Sequence, residues 1–420
     1  MWNAADSDVR AARPYLLAGI IASESGRSQI LSTANILPGQ PIPEFAQFEA
    51  TSWIAVVAPI EYPLFMDAAA SLTKMLDASA SMVMVLIAHK DPPLKDNRRD
   101  GAVRSFLCST EVFRRLLEHY PASSPERLSF LLLSSILDGV IPVDRVVVTQ
   151  LPIQRQEATA APIEPARVIM AHRGMARHLS SALRSIGFAR DPKPAVSVGL
   201  DGGTLSKYEA LRLRHPDAEF LYFSPAPVGP YVIRQDLIQR SSEPVLIFQD
   251  SDDFSTWDRF VRLQQELHTG ACDLVGSHEL RINQMQETVH PIRFPIDVNA
   301  ALETAPVHAL LHGTSAIARF DFFKAGGLST DQIFSGDTQF LWRAHFALRI
   351  RNVDAFLYLR RVHKVALTIH PLTSVLTPAR ESLRLQRCAD FRAIQQGQML
   401  LEESSLRPMH RTTPYQVRPL

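Results

Sequence analysis

The chain has 420 residues, 46% hydrophobic and 21% charged, the proportions of an ordinary globular protein long enough for two domains, each burying its own core. Its 44 basic and 43 acidic side chains leave a formal net charge of +1, which removes any electrostatic case for nucleic acid as a partner. Three widely spaced cysteines, Cys108, Cys272 and Cys388, argue against a disulfide framework and for a reducing, cytoplasmic setting.

In the front part, residues 1–153, the apolar run 16–22 predicts a strand; it is too short to span a bilayer and lacks the flanks of a signal peptide. The segment from Ser23 to Arg27 then leads into an expected helical stretch. Further apolar strand runs lie within Trp53 to Phe65, ending at Ala58 to Glu61, and at 81–87, and Phe106 to Phe113 is similar in character to Ser315 to Phe322. Residues 154–165, rich in Ala, Thr, Pro and Glu without apolar periodicity, read as a linker.

Past the linker, residues 166–171 form an apolar strand ended by His172, Arg173 and Gly174, and a helix follows with Met175, Leu179, Leu183 and Ile186 on one face. A second strand, 194–200, closes on the turn-forming trio Asp201, Gly202 and Gly203. A third covers 220–223. The fourth, from Val245 to Phe248, stops at Asp250, Asp252 and Asp253, three carboxylates within four residues. A helix is expected next, capped by Ser255 or Thr256, with Trp257, Phe260, Val261 and Leu267 inward. Alternating strands and helices build a mostly parallel sheet flanked by helices, and ligands of such α/β sheets bind beyond the carboxyl ends of the strands, where Asp201 and the acidic cluster stand. Hard oxygen ligands suit Mn²⁺ or Mg²⁺, ions that usually reach a protein through one or two carboxylates plus substrate phosphates. The bland alternative is a solvated acidic turn.

Further marks follow in order: a run from Gly229 to Arg234; Gly313, Thr314, Ser315 and Ala316; Ser335, Gly336, Asp337 and Thr338 before the apolar helical Phe340, Leu341 and Trp342; and Arg360, Arg361, Val362 and His363 with Leu367 and Thr368. With the first strand end Ala171, His172 and Arg173, the Asp201 turn and the acidic cluster, they make seven marks over residues 166–372. Together these resemble the family 2-type glycosyltransferases with the type A nucleotide-sugar fold. The resemblance implies that Ala171, His172 and Arg173 meet the nucleotide, that Asp201 holds the base or ribose, and that Arg234, Asp250, Arg360 and Arg361 lie by the diphosphate. It places a divalent metal on Asp252 with Asp250 or Asp253, His363 completing the metal shell or touching the diphosphate. It makes Asp337 the general base of an inverting transfer from a nucleotide-diphosphate sugar, a UDP-sugar first, to a carbohydrate or glycolipid acceptor. Two departures stand out: His172 and Arg173 replace a more usual aromatic or hydroxyl residue next to Asn, and no Glu precedes Asp337.

Laid on the rear part, the front part reads as a shortened, degenerate copy. Residues 16–22 match 167–173, 53–65 match the strand into Asp250, 81–87 match 272–276, and 106–113 match 315–322. Val143 and Asp144 align with Val353 and Asp354, which sets Arg127 at the place of Asp337; near Ala58 and Glu61 one carboxylate remains of the acidic cluster. Such a silent unit would pack on the active one or serve dimer formation or acceptor binding. The basic tail, 373–420, reads as helical, a solvated face or a peripheral contact with the inner face of a membrane. Two rivals remain: a sugar nucleotidyltransferase, and a non-catalytic carbohydrate- or nucleotide-binding scaffold, which would have no need of Asp337 beside an intact acidic cluster.

Overall fold

The computed structural model describes residues 14–22, 28–37, 39–40, 42, 48, 51–59, 61–73, 75, 81–88, 102–151, 153, 163–203, 205–224, 226–366, 369, 374, 377–411 and 414–420. The linker expected at 154–165 falls through residue 162 outside these, as do Ser23 to Arg27 and the pair Leu367 and Thr368.

The fold is mixed α/β, with two sheets flanked by helices. The front sheet holds β1 (Tyr15–Ala22), β2 (Ser28–Ile36), β3 (Trp53–Val57), β4 (Met82–Ala88), β5 (Ser105–Ser109) and β6 (Arg145–Leu151), in the order β2-β1-β3-β5-β4-β6. Among the described residues three helices accompany it: α1 (Tyr62–Thr73), α2 (Thr110–His119) and α3 (Pro125–Leu137). Where a helical stretch was expected after residue 22, β2 instead pairs antiparallel with β1.

In the rear sheet, β7 (Ala166–His172), β8 (Ala195–Asp201), β9 (Ala218–Ser224) and β10 (Val245–Phe248) run parallel to their neighbours in the order β10-β7-β8-β9. Between them in the chain lie α4 (Ala176–Gly187), α5 (Ser206–Arg214) and α6 (Pro230–Arg240). The sheet continues through β11 (Phe254–Ser255), β12 (Leu274–Asn283), β13 (Thr288–Ile292), β14 (Ala316–Ala318), β15 (Ile350–Val362) and β16 (Gln416–Pro419); β14 is antiparallel to both β10 and β12, and β15 is parallel to β12. The remaining helices are α7 (Arg259–His268), α8 (Val298–Thr304), α9 (Arg319–Lys324), α10 (Gly336–Ala344) and α11 (Pro378–Gln395). So the parallel strands form the centre, with antiparallel strands joining on either side.

Two local expectations change. Met175 is 41% exposed and precedes α4, whose buried face holds Leu179, Leu183 and Ile186 together with Ala182 and His178. Phe254 and Ser255 pair with β15 rather than opening a helix, and α7 starts only at Arg259 with Asp258 at its cap position. The tail is also more than a helix: β16 adds to the sheet beside β9, and Phe391 of α11 packs fully buried against Trp342 and Phe346.

Packing explains how α6 is seated. A Cβ on Gly199 of β8 would lie 2.1 Å from Ile233 Cγ2, so only glycine lets α6 lie this close to the strand. Its apolar residues Val232, Ile233 and Leu237 are buried there, each contributing roughly 1.5–3 kcal/mol. The two sheets share one apolar core, in which Phe254, Leu280, Ile282, Phe356 and Leu359 of the rear meet Phe113 and Leu132 of the front.

Candidate active site

The carboxyl ends of β7, β8 and β10 form one edge. At the ends of β7 and β8 lies a pocket of about 200 Å³ lined by Arg173, Gly174, Asp201, Gly202, Gly203, Lys207, Tyr208 and Pro227. Asp201 is buried and accepts hydrogen bonds from the Val228 and Gly229 amides at 2.7 and 3.2 Å, which ties the end of β8 to the start of α6. Burial raises its pKa despite those two amides and the charge of Arg173. His172 is buried, shares a hydrogen bond of 2.8 Å between Nδ1 and Ser251 Oγ, and meets the Tyr208 ring edge-on at 5.6 Å. Its Nε2 has no protein partner, and burial pushes the imidazole down to about 4, so it is neutral. Ala171, one residue earlier in β7, is half-buried and Arg173, one residue later, is exposed.

Beyond β10 stands the acidic tip. Asp250 accepts from the buried guanidinium of Arg234 on α6, and its amide donates to Tyr358 Oη at 2.9 Å. The Asp252 carboxylate accepts from His363 Nε2 at 2.8 Å. Asp253 turns into the sheet, where it accepts from the Arg361 amide at 2.7 Å. Burial together with the neighbouring carboxylates raises Asp250, against Arg234, and raises Asp253 well above the ordinary carboxylate value. For Asp252 burial is outweighed by the hydrogen bond and charge of His363 and by the charge of Arg361, and the group is held below its ordinary value. Burial is the first cause of both raised values, and repulsion between neighbouring carboxylates adds to it: two like charges about 4 Å apart repel by roughly 4 kcal/mol at an effective dielectric near 20.

The cations divide by role. Arg360 lies 3.7 Å from Glu279, and its charge bears on Asp250 and Asp253. Arg361 stands apart from the edge: it is 3% exposed, and its guanidinium is committed to the Asp252 carbonyl, to Leu137 and to Asp138.

Asp337 sits in the first turn of α10, half-buried, accepting from Tyr231 Oη at 3.0 Å. Burial works to raise this carboxyl, but the imidazoles of His308 and His312, the Thr338 amide and the Tyr231 hydroxyl outweigh it and hold it low. A Cβ on Gly336 would meet the Tyr231 ring at 2.9 Å, so the glycine lets that ring reach the carboxylate. Arg234 connects the two ends, paired with Asp250 and within electrostatic reach of Tyr231 and Asp337.

Three supporting residues gave no signal in the sequence. Arg259, fully buried, donates to the Phe248 and Gly313 carbonyls at 2.6 and 2.8 Å and to Gln249 and Ser255, which fixes the end of β10 against the 312–314 turn. Tyr358 lies under its guanidinium at 4.7 Å. Arg387 of α11 donates to the Ser335 carbonyl at 2.7 Å, and Ser335 holds the left-handed conformation at φ 59°, an unfavourable one for a side-chain-bearing residue.

Among the described residues no group of three or more His, Cys, Asp or Glu side chains is arranged to hold a metal ion. The pair Asp252 and His363 offers one hard oxygen and one imidazole nitrogen beside two further carboxylates, a donor set that fits a divalent ion whose other ligands are phosphate oxygens.

No family model matches the chain, and no curated protein does. Among solved structures it is similar to S. aureus TarS 1–349 in complex with UDP, with a TM-score of 0.40 and 16% identity over 55% of this chain and 72% of that one. For TarS 1–349 in complex with UDP-GlcNAc the values are 0.41, 13%, 55% and 73%. Against a longer TarS chain they are 0.40, 15% and 55%, and this chain covers 43% of that one.

Proposed function

We propose that the rear part, residues 166–372, transfers a sugar from a nucleotide-diphosphate sugar, a UDP-sugar first, to a hydroxyl of a carbohydrate or glycolipid acceptor, with inversion and with the help of Mn²⁺ or Mg²⁺. The observation that carries this is the gathering, along one sheet edge, of a small polar pocket, the acidic tip with its cations, and a separate carboxylate held ionised. The pocket by Asp201 and Arg173 takes the nucleoside end. Arg234 and Arg360 face the diphosphate with planar forks suited to its oxygens. Asp252 and His363 would hold the cation, which when bound supplies neutralisation of the leaving diphosphate. Asp337, poised by Tyr231, accepts the proton of the attacking hydroxyl on the side away from that leaving group. A pure binding scaffold has no use for a carboxylate held ionised there.

Residues 1–153 we read as a shortened, catalytically silent relative of this part. Support comes from strand order: β3, β5, β4 and β6 pair in the same order and directions as β10, β14, β12 and β15. The match does not extend to β1, which is antiparallel to β3 whereas β7 is parallel to β10.

The test is a screen of nucleotide sugars for Mn²⁺-dependent hydrolysis and thermal stabilisation, run beside Asp252→Ala. A UDP-sugar is expected to stabilise the unaltered chain in the presence of Mn²⁺ and to lose that effect in the variant. A ligand that stabilises both equally, with or without metal, would count against the reading.

A further inference from the structure

Arg361 follows an unusual path for a cation beside an acidic cluster. Its amide donates to Asp253 Oδ1 and its Nε to the Asp252 main-chain oxygen at 2.9 Å, yet both terminal nitrogens turn away from the carboxylates of the tip. One reaches Asp138; the other donates to the Leu137 carbonyl at 2.5 Å. Leu137 ends α3 and Asp138 is its C-cap, so the guanidinium rests on the negative end of a front-part helix. Asp138 also lies 3.6 Å from Nε2 of His178 on α4, and the His178 ring stands edge-on to His363 at 5.5 Å. From one front-part carboxylate, contacts therefore run to the Asp252 backbone on one side and toward its imidazole partner on the other.

A buried guanidinium deprived of its carboxylate is strongly destabilised and takes whatever anion is at hand. Beside Arg361 that anion is Asp252, the carboxylate of the tip held below its ordinary value. We propose that Asp138 is a positioning residue for the acidic tip: it holds the terminal nitrogens of Arg361 and so keeps them from pairing directly with the Asp252 carboxylate, which with His363 is then available to a divalent cation. This role rests on the functional reading given above for the tip. It gives the front part a task in the rear site.

The experiment measures Mn²⁺ binding by the full chain with UDP present, from the electron paramagnetic resonance signal of unbound Mn²⁺, with no turnover required. Asp138→Asn is expected to weaken Mn²⁺ binding about 10- to 100-fold, the usual effect of losing a residue that orients a metal ligand. Arg361→Lys offers one ammonium to three oxygens and is expected to weaken it likewise; it carries the test if Asp138→Asn does not fold. Arg127→Ala cuts a different cross-sheet pair, the exposed one with Glu287, and is expected to leave Mn²⁺ affinity unchanged. Unaltered affinity in Asp138→Asn and Arg361→Lys would overturn the role, as would an equal loss in all three variants, which would mean mere loosening between the sheets. If the unaltered chain binds no Mn²⁺ with UDP, the functional reading itself fails, and this role with it.

Discussion

In the front sheet β6 runs parallel to β4, β4 antiparallel to β5 and β5 antiparallel to β3; in the rear sheet β15, β12, β14 and β10 follow one another in the same order and directions. Past that point the two part company. Next to β10 the rear sheet adds three parallel strands, whose ends form the small pocket, whereas next to β3 the front sheet turns back through an antiparallel hairpin. The chain after β10 carries three carboxylates at the edge; after β3 it carries Glu61, buried and bonded to Ser105. At the start of α10 Asp337 faces Tyr231, whereas in the first turn of α3 Arg127 pairs on the surface with Glu287. One strand order can thus carry chemistry or only support, according to what its edge bears.

Three substitutions probe that division. Asp337→Asn is expected to lower transfer by roughly 10²–10⁴-fold while nucleotide-sugar binding stays within a few-fold, read from kcat against KM. Because its folded pKa is depressed, Asp337 is ionised through neutral pH; its part in the rate, and in stability, is present above the ordinary carboxylate value and is lost only as pH falls below about 4. A rate that falls between pH 8 and 6 in the unaltered chain and not in Asp337→Asn would contradict that assignment.

Arg387→Gln comes next. It releases the strained Ser335 turn and is expected to cost about 10- to 100-fold in kcat with KM little changed, since displacing a reacting group by an ångström has that scale of effect. An equal loss in KM alone would mean that α11 shapes binding rather than the base. The smallest kinetic effect is expected from the front sheet. Ser105→Ala removes the bond to Glu61 and the hydroxyl that accepts from the Ala58 amide at 2.8 Å, and should lower stability by about 1–3 kcal/mol in a denaturant titration with kcat and KM unaltered. A kinetic change there would blur the line between the sheets.

Particular residues show what could be read from the chain and what could not. β7, β8 and β10 are short apolar runs closed by polar or glycine-rich turns, and both the runs and the carboxylates at their ends were legible. Asp337 was legible as a residue at a helix start. Phe254 and Ser255 were not, because their strand exists only through pairing with Leu359 and Tyr358, about a hundred residues away in the chain. The same holds for β16, whose mostly exposed residues have no apolar alternation and are ordered by β9. Arg259 and Arg387 carried no signal in the sequence, and Arg361 was expected beside the diphosphate; all three are buried on carbonyls and carboxylates from other segments, which no local pattern reveals.

The decisive measurement is a crystal structure of the full chain grown with Mn²⁺ and UDP, with the metal placed from its anomalous signal. The account predicts Mn²⁺ bonded to Asp252 and His363 and to the diphosphate, with the uridine in the pocket beside Asp201 and Arg173. Nucleotide bound instead in the larger cavity of about 510 Å³ between the sheets, beside Arg145, Arg190 and Trp257, with no metal at Asp252, would contradict it.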